Sequence, residues 1–437
     1  MRPETTRRLR TTVAVGAAAI MAGTLLSACG GSESTGTPVL NMYAYPQQHR
    51  ADIVKRCNQQ AHGKYRIDLN LLPRTADQQR EQLVRRLAAA DHGMDILGID
   101  VTWTAELAKA GWIRPWTGSN RQQVENGTLP APLSTATING TLYGAPNNTN
   151  VQLLWYRSDL MPKPPATYQG LIDEATRLKK AGKPHYVEVT GAQYEGLVVW
   201  FNSVLAAAGG SILNKAGTEV SLGKPAVTAL STMSKFANSA AADPSLSNTQ
   251  EDPARLAVEG GTAVAEINWP YVYASMAADK PQMLKNFKWA PIPGITGTGK
   301  ATIGGENLAV SKYSDHPDLA FSAALCLRNA ANQKYGAILD GVPPTIESVY
   351  HDTRPLDPNK KTNAKTNPSM VTAYPMRQAI LDELRTAVSR PVTATYQNVS
   401  TVTSTLLSPP KSIQAVSTER ALRSQISDAL QSKGVLP

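Results

Sequence analysis

A polar segment inside residues 140–160 limits how this chain can fold more than any other part of the sequence. It follows Asn139-Gly140, a dipeptide that favours a two-residue hairpin turn. Residues 147–150 read Asn-Asn-Thr-Asn, and an apolar, strand-like run at 151–156 comes next. Because these polar side chains have no core of their own to fill, we expect the segment to cross between two sheet-containing halves. A hinge and a cleft would lie at such a crossing.

Strands and helices are predicted to alternate before this crossing. Strand patterns at 39–43, 65–71 and 94–99 are separated by helix patterns at 51–60 and around Leu83. This alternation is typical of an α/β unit with a parallel sheet.

Capping signals mark several predicted helix starts. Thr75, with a glutamine three residues later, fits a capping box. Thr167 is expected to cap one helix, and Asp252, which precedes a proline, is expected to cap another. A strongly apolar helix is predicted at 195–208, and a strand at 262–267 runs into Asn-Trp-Pro.

Length and pattern together predict two domains. A chain of 437 residues exceeds what one hydrophobic core usually serves. We predict a two-lobed α/β fold in which each lobe is a mixed, mostly parallel sheet flanked by helices, and a multi-strand hinge joins the lobes. Lobe 1 is assigned residues 39–148 and 302–350, and lobe 2 is assigned residues 149–301 and 351–437.

The amino terminus reads as a segment that directs export. Residues 1–29 begin with arginines, and their apolar run at 13–26 is shorter than the about 20 residues that span a bilayer. The run ends in Leu26-Ser27-Ala28-Cys29, which resembles the lipobox of bacterial lipoproteins, so Cys29 is the predicted lipid attachment site. Residues 30–38 would form a flexible tether. A plain cleaved signal is the alternative, and the pair Arg7-Arg8 leaves Sec and twin-arginine export both open.

Charge and motifs exclude several classes of function. The net charge of +10 is spread along the chain without a dense basic block carrying aromatics, so no nucleic-acid partner is predicted. Such a charge fits an exported protein near an anionic surface. Residues 294–300 have phosphate-loop spacing, but Ala301 stands where a metal-binding hydroxyl is required. The six histidines lack metal-ligand spacing, so neither a metal nor a cofactor is predicted.

Two cysteines remain besides Cys29. Outside the cytoplasm, Cys57 and Cys326 would be expected to form a disulfide. A pair of buried free thiols is the alternative.

Motifs spread over nearly all of the chain after residue 38 resemble the extracytoplasmic sugar-binding proteins that serve ABC importers. The crossing segment at 140–160 and four other blocks follow one another in the order that this family shows. The blocks are Ala110-Gly111-Trp112-Ile113, Gly260-Gly261-Thr262-Ala263, Gly304-Gly305-Glu306-Asn307 and Gly341-Val342-Pro343. Within the family, the chain is similar to the trehalose-binding lipoproteins of actinobacteria. The blocks that suggest this are Cys57-Asn58-Gln59-Gln60, Gln152-Leu153-Leu154-Trp155-Tyr156-Arg157 and Asn268-Trp269-Pro270.

The resemblance implies a set of ligand-binding residues. Sugar hydroxyls both donate and accept, so a sugar cleft uses carboxylates, amides and guanidinium groups, with an aromatic ring on the C–H face. The residues implied are Asp100, Asn150, Glu251, Trp269, the backbone of Gly341 and Val342, and Arg390. The loop at 45–48 has no clear counterpart, so contacts from it stay open.

Each of these residues also has a purely structural reading. Asp100 would serve as a helix N-cap, Asn150 would hold a turn, and Trp269 would fill a core. Glu251 and Arg390 would be solvated surface groups. Gly341 and Val342 would form an ordinary turn.

The function that the resemblance implies is capture rather than catalysis. The protein would be a monomer, lipid-anchored at the outer face of the cell membrane, that binds a disaccharide such as trehalose and delivers it to a membrane permease. Two alternatives stay open. One is a binding protein for another oligosaccharide or a glycerophosphodiester. The other is an exported glycosidase, which needs two acids, for example from Glu251-Asp252.

Overall fold

The computed structural model describes residues 36–361, 363 and 366–433. The predicted lipid attachment site Cys29 and the export segment 1–29 lie outside these residues. The described chain contains two main sheets, which are the centres of two lobes.

Eleven strands are found in the described residues, with the following bounds: β1 Val39–Ala44, β2 Arg66–Leu71, β3 Ile96–Asp100, β4 Thr137–Ile138, β5 Thr141–Leu142, β6 Ala145–Val151, β7 Leu153–Arg157, β8 Tyr186–Glu188, β9 Ala263–Asn268, β10 Phe287–Ala290 and β11 Ile303–Val310. The first sheet has the order β2-β1-β3-β11-β6, and the second has the order β10-β7-β9-β8. In the first sheet β1 runs parallel to β2 and β3, whereas β11 is antiparallel to both β3 and β6. The expected α/β fold with mixed sheets is confirmed, but the expectation that the sheets are mostly parallel is wrong. In the second sheet β7 is antiparallel to both β10 and β9, and β8 runs parallel to β9.

Helices cover both sheets. Their bounds are α1 Arg50–Gln60, α2 Ala76–Ala88, α3 Thr104–Lys109, α4 Gly118–Glu125, α5 Pro130–Ala136, α6 Tyr168–Lys180, α7 Glu195–Ala207, α8 Lys224–Ala237, α9 Glu251–Glu259, α10 Tyr271–Asp279, α11 Pro281–Leu284, α12 Pro317–Leu327, α13 Ala330–Asp340, α14 Met370–Ala373, α15 Arg377–Thr386, α16 Tyr396–Leu407 and α17 Ala415–Leu430. Short 3-10 turns lie at Leu246–Asn248, Glu347–His351 and Pro410–Ser412. No described helix has both the length and the apolarity needed to cross a bilayer.

A disulfide ties the first helix to a late one. Cys57 of α1 is bonded to Cys326 of α12, and their Cα atoms are 5.8 Å apart. Both helices pack on the first sheet, where Ile53, Val54 and Cys57 form the buried face of α1. The bond therefore joins segments of the first lobe that are far apart in sequence.

The predicted crossing segment forms an edge strand of the first sheet, and the chain passes to the second sheet after it, between β6 and β7. Residues 147–150 lie in β6, which pairs with β11 from Ile303 opposite Val151 to Leu308 opposite Ala145. The hairpin before it forms as predicted, because Asn139 and Gly140 have φ values of 50° and 79°. The predicted lobe boundary after residue 148 falls inside β6. The residue ranges given above for lobe 1 and lobe 2 remain a proposal.

Two capping predictions are wrong and one is confirmed. Thr75 is the N-cap residue of α2, but its side chain makes no capping hydrogen bond. Helix α9 begins at Glu251 with Gln250 as its N-cap, so Asp252 lies inside the helix rather than before it. Thr167 does cap α6, since its hydroxyl accepts from the Gly170 N–H at 3.0 Å.

Two buried glutamates lie side by side in the second sheet. Glu188 of β8 is paired with Glu266 of β9, and both side chains are buried. Burial raises the pKa of each carboxyl to about 8. Among the described residues, one oxygen of each makes no hydrogen bond. The protonated acids are therefore the forms that suit this site.

We expect the pair to make stability depend on pH. The pKa of Glu266 is raised from 4.5 to about 8, so the folded chain holds a proton that the unfolded chain has lost. The contribution of protonated Glu266 to the stability of the folded state is fully present below about pH 4.5, and it is lost as pH rises through about 8. Glu266→Gln, which mimics the neutral acid, should raise the melting temperature by about 3 °C or more at pH 9 and change it little at pH 5. Differential scanning calorimetry at both values tests this, with the exposed Glu81→Gln as control. Equal shifts at the two pH values would contradict it.

Candidate ligand-binding site between the two lobes

An ion pair connects the lobes at the end of β3. Arg390 Nη2 lies 3.2 Å from Asp100 Oδ1. That oxygen also accepts from the backbone N–H and the hydroxyl of Thr102, at 2.9 and 2.7 Å. Helix α3 begins at Thr104 with Trp103 as its N-cap. Asp100 therefore does not cap this helix, which was the structural alternative to a role in binding. The end of a sheet strand is where ligands bind in open α/β sheets.

Arg390 is buried and is held by a second carboxylate from its own lobe. Its Nη1 donates to Glu195 Oε1 at 2.6 Å, and the Tyr396 hydroxyl donates to the same oxygen at 2.5 Å. The Ser400 hydroxyl donates to Glu195 Oε2. Burial raises the pKa of Glu195, and these donors oppose burial because they favour the carboxylate. Burial acts to lower the pKa of Arg390, but Asp100 and Glu195 more than offset it, so that pKa is raised.

Trp269 follows β9 and lies against the strand that returns to the first lobe. Its half-buried ring covers Gly304 of β11, where an added Cβ would be 3.1 Å from Cη2 of the indole. The same added Cβ would be 3.4 Å from the Cβ of Asn150, which is paired with Gly304. The absence of a side chain at Gly304 therefore lets the ring approach the crossing.

Asn150 carries a polar group without a partner. Its Oδ1 is buried and makes no hydrogen bond within the described residues. Most buried side-chain oxygens in proteins are hydrogen-bonded, and an unpaired one costs about 1–3 kcal/mol. The atom lies on a side chain that neighbours the Trp269 ring, so it is suited to accept a hydrogen bond from a ligand hydroxyl.

Glu251 lies at the start of α9 beside the tryptophan. Its Oε2 accepts from the Tyr194 hydroxyl at 2.7 Å. Burial raises the pKa of Glu251, while the Tyr194 hydroxyl and the nearby side chain of Trp269 act to lower it. Asn268 fixes the backbone here, because its Nδ2 donates to the Glu251 carbonyl at 2.9 Å.

Gly341 brings the loop after α13 against the segment that follows Trp269. It has a φ of 69° and ends α13 in the left-handed conformation that glycine favours. An added Cβ would lie 2.7 Å from Tyr271 Cα and 3.0 Å from the Pro270 carbonyl oxygen, so no larger residue fits. Tyr374 donates to the Gly341 carbonyl at 3.0 Å.

Val342 lies in a crevice of the first lobe. The crevice is lined by Gln47, Arg50, Asn147, Asn148 and Val342 among others. Gln47 belongs to the early loop at 45–48, which has no clear counterpart in the family, and it thus lies beside the predicted residue Val342. The loop is anchored by Gln47, whose Nε2 donates to Asp340 at 2.7 Å.

A buried ion pair supports this crevice and was missed from the sequence. Arg50 binds Glu306 through two hydrogen bonds of 2.9 and 3.1 Å. Asn147 Nδ2 also donates to Glu306 Oε1 at 2.9 Å. The available signal was a charged residue, Glu306, inside the predicted strand 303–310, because a buried carboxylate requires a partner.

The predicted side chains meet in one region, though not all in direct contact. Asp100 and Arg390 form an ion pair, and Trp269 contacts Glu251 and lies beside Asn150. Gly341 packs on the residues that follow Trp269, and Val342 faces the neighbouring crevice. Tyr194 and Glu195, which were not predicted, connect the two groups because they bind Glu251 and Arg390 respectively.

The chemistry of this region suits reversible binding. It offers carboxylates, an amide, a guanidinium group and an indole ring from two lobes. In the part of the chain that the structure describes, no group of His, Cys, Asp and Glu side chains has the arrangement of a metal site. A two-lobed α/β fold with polar groups converging between its halves defines a solute-binding protein of the hinged type.

Comparison with known proteins identifies the family. The chain belongs to the bacterial extracellular solute-binding proteins, whose family model matches residues 51–334. A probable ABC transporter-binding protein of Deinococcus radiodurans is 28% identical over 353 residues, which are 76% of this chain and 79% of that protein. These matches are binding proteins rather than enzymes.

Solved structures share the fold. Maltose-bound MalE3 of T. maritima superposes with a TM-score of 0.78 at 25% identity, covering 89% of this chain and 98% of that one. The GacH receptor of Streptomyces glaucescens, studied with acarbose, has a TM-score of 0.74 at 17% identity over 91% of this chain and all of that one. The latter likeness shows the fold alone.

Proposed function

We propose that this protein captures an uncharged disaccharide, trehalose in the first instance, and delivers it to the permease of an ABC importer. The observation that carries the proposal is the half-buried indole of Trp269, which lies between the lobes and is flanked by Asn150 and Glu251. An aromatic ring supplies the apolar surface that a sugar's C–H face requires, and the neighbouring acceptors suit its hydroxyls. MalE3, the relative with the higher identity among the solved structures above, is described with bound maltose.

The charge of the site supports a neutral ligand. Arg390 is the one cation among the predicted contacts, and it is paired with carboxylates from both lobes, Glu195 and Asp100. A guanidinium group that is already neutralised in this way is poorly suited to a phosphate. This argues against a glycerophosphodiester as the ligand.

Closure of the lobes would trap the sugar. Contacts already link the lobes through Arg390 with Asp100 at 3.2 Å and through Gln397 with Asp77 at 3.0 Å. A ligand that bonds to both sides of the cleft only when the lobes are closed would shift the population toward this form. The closed form would then be the one that the permease receives.

The anchor and the nature of the sugar rest on the sequence. The lipobox at 26–29 makes Cys29 the proposed site of a lipid that holds the protein at the outer face of the membrane. The sequence blocks described above resemble the trehalose-binding lipoprotein LpqY, which is why trehalose is proposed ahead of other disaccharides. We expect the soluble part to act as a monomer.

A thermal-shift screen tests the proposed ligand. With trehalose, maltose, sucrose and glycerophosphocholine each at 1 mM, trehalose is expected to raise the melting temperature most. A dissociation constant of about 1 μM would stabilise the protein by about 4 kcal/mol at that concentration. The proposal would be refuted if only glycerophosphocholine raised the melting temperature, or if none of the sugars did.

Asp100→Ala is expected to weaken trehalose binding by about tenfold or more. The change removes an acceptor for a sugar hydroxyl and the first-lobe partner of Arg390, and hydrogen bonds to charged groups contribute about 1.5–3 kcal/mol. Isothermal titration calorimetry measures the effect, with Asp315→Ala as the control because Asp315 is an exposed acid paired with His92. Wild-type affinity in Asp100→Ala would remove Asp100 from the site.

A further inference from the structure

The side chain of Arg390 needs a fixed partner to stay in one conformation. It lies between Ser389 and Pro391 in the irregular segment that connects α15 to α16. A free arginine side chain carries about 2 kcal/mol of rotamer entropy, which opposes any single placement. The guanidinium group nevertheless points to Asp100 across the cleft at 3.2 Å. An element of its own lobe must therefore fix it.

Glu195 has the geometry to do so. It is the first residue of α7, a helix buried on nearly every face, so its backbone is held by the core of the second lobe. Its Oε1 accepts from Arg390 at 2.6 Å and from the Tyr396 hydroxyl at 2.5 Å, and its Oε2 accepts from Ser400. The first turn of a helix also favours a carboxylate, because the helix dipole is positive there.

We propose that Glu195 is a positioning residue of the binding site: it holds the Arg390 guanidinium in the one placement from which it pairs with Asp100 of the opposite lobe. Resting on the proposed function, this sets the geometry in which the lobes close on the sugar. Arg390 then has one acid partner that fixes it and another that becomes available when the lobes meet. Tyr396 and Ser400, both on α16, hold the orientation of Glu195 in turn.

Tyr194, the residue before Glu195, also positions a predicted ligand contact. Tyr194 donates to Glu251 at 2.7 Å, while Glu195 binds Arg390. Two successive residues at the start of one buried helix therefore orient two of the predicted ligand contacts. A movement of the α7 start would change both contacts together.

A double-mutant cycle tests the proposal on trehalose affinity. Glu195→Gln should weaken binding by about tenfold. If Glu195 acts through Arg390, Glu195→Gln combined with Arg390→Met should bind within about twofold of Arg390→Met alone. Ser400→Ala, a milder change, should weaken binding by about threefold. The proposal is overturned if the effects of Glu195→Gln and Arg390→Met multiply, or if Glu195→Gln binds like the wild type.

A structural control separates positioning from general loss of packing. Trp200 of α7 donates to the Tyr168 hydroxyl at 2.9 Å, away from Arg390. Tyr168→Phe should lower the melting temperature yet leave the trehalose affinity within about twofold, because it removes a buried acceptor without changing the site. A loss of affinity in Tyr168→Phe equal to that in Glu195→Gln would mean that any damage to α7 suffices, and would overturn the positioning role.

A readout without sugar keeps this inference distinct from the proposed function. Hydrogen exchange, followed by mass spectrometry on peptides covering residues 387–395, should be about tenfold faster in Glu195→Gln and in Arg390→Met than in the wild type or in Tyr168→Phe. If the wild type bound no sugar, the proposed function would fail while this result still supported the positioning role. Unchanged exchange in Glu195→Gln would overturn the positioning role even if the wild type bound trehalose.

Discussion

Trp269→Ala is expected to weaken disaccharide binding by about thirtyfold or more, which corresponds to about 2 kcal/mol. The ring supplies the apolar face on which the sugar would lie, and truncating a central aromatic group commonly removes that much binding energy. The side chain of Trp269 also acts to lower the pKa of Glu251, which burial raises.

Isothermal titration calorimetry with trehalose measures this effect. Trp112→Ala is the matched control, because Trp112 is also a partly buried tryptophan but packs on the cluster around Leu83 and Leu87 in the first lobe. The control should bind within about twofold of the wild type. Equal affinities of Trp269→Ala and the wild type would mean that the ligand does not contact the ring.

Arg50→Met is expected to destabilise the protein by about 3–5 kcal/mol. Arg50 and Glu306 are only 3% and 2% exposed, so the variant leaves a carboxylate buried without its cation. Glu306 lies in β11, the strand that joins the first sheet to the crossing strand β6. The damage should therefore spread along the connection between the lobes.

Chemical denaturation measures the free energy of unfolding of both Arg50→Met and its control. Arg80→Met removes a similar ion pair, with Glu106, whose side chains are 15% and 16% exposed. Because water can solvate the remaining acid there, we expect a loss of about 1 kcal/mol or less. Equal losses of unfolding free energy in the two variants would show that burial of the Arg50–Glu306 pair does not increase the cost of removing the arginine.

The fold could be predicted from local patterns. The hairpin at Asn139-Gly140 forms because both residues tolerate positive φ, and the polar run 147–150 lies in β6, shortly before the chain passes to the second sheet. The apolar helix predicted at 195–208 is the buried α7. These features depend on a few neighbouring residues, so the sequence alone displays them.

Other features depend on contacts between distant residues. Asp252 looks like a cap when only Pro253 is considered, yet α9 begins at Glu251, two residues before the predicted start. The Glu251 side chain lies beside Tyr194 and Trp269. The pairing of Arg390 with Glu195 spans 195 positions, and that of Arg50 with Glu306 spans 256. No periodicity links such residues, so their partners appear only in the folded chain.

A crystal structure determined after co-crystallisation with trehalose would show directly whether the sugar binds between the two lobes. We expect the disaccharide between the two lobes, with one glucose ring within about 4 Å of the Trp269 indole and a hydroxyl in hydrogen-bond distance of Asp100. A sugar bound on an outer face, or an empty cleft at a trehalose concentration that saturates binding in solution, would rule out capture of the sugar between the lobes.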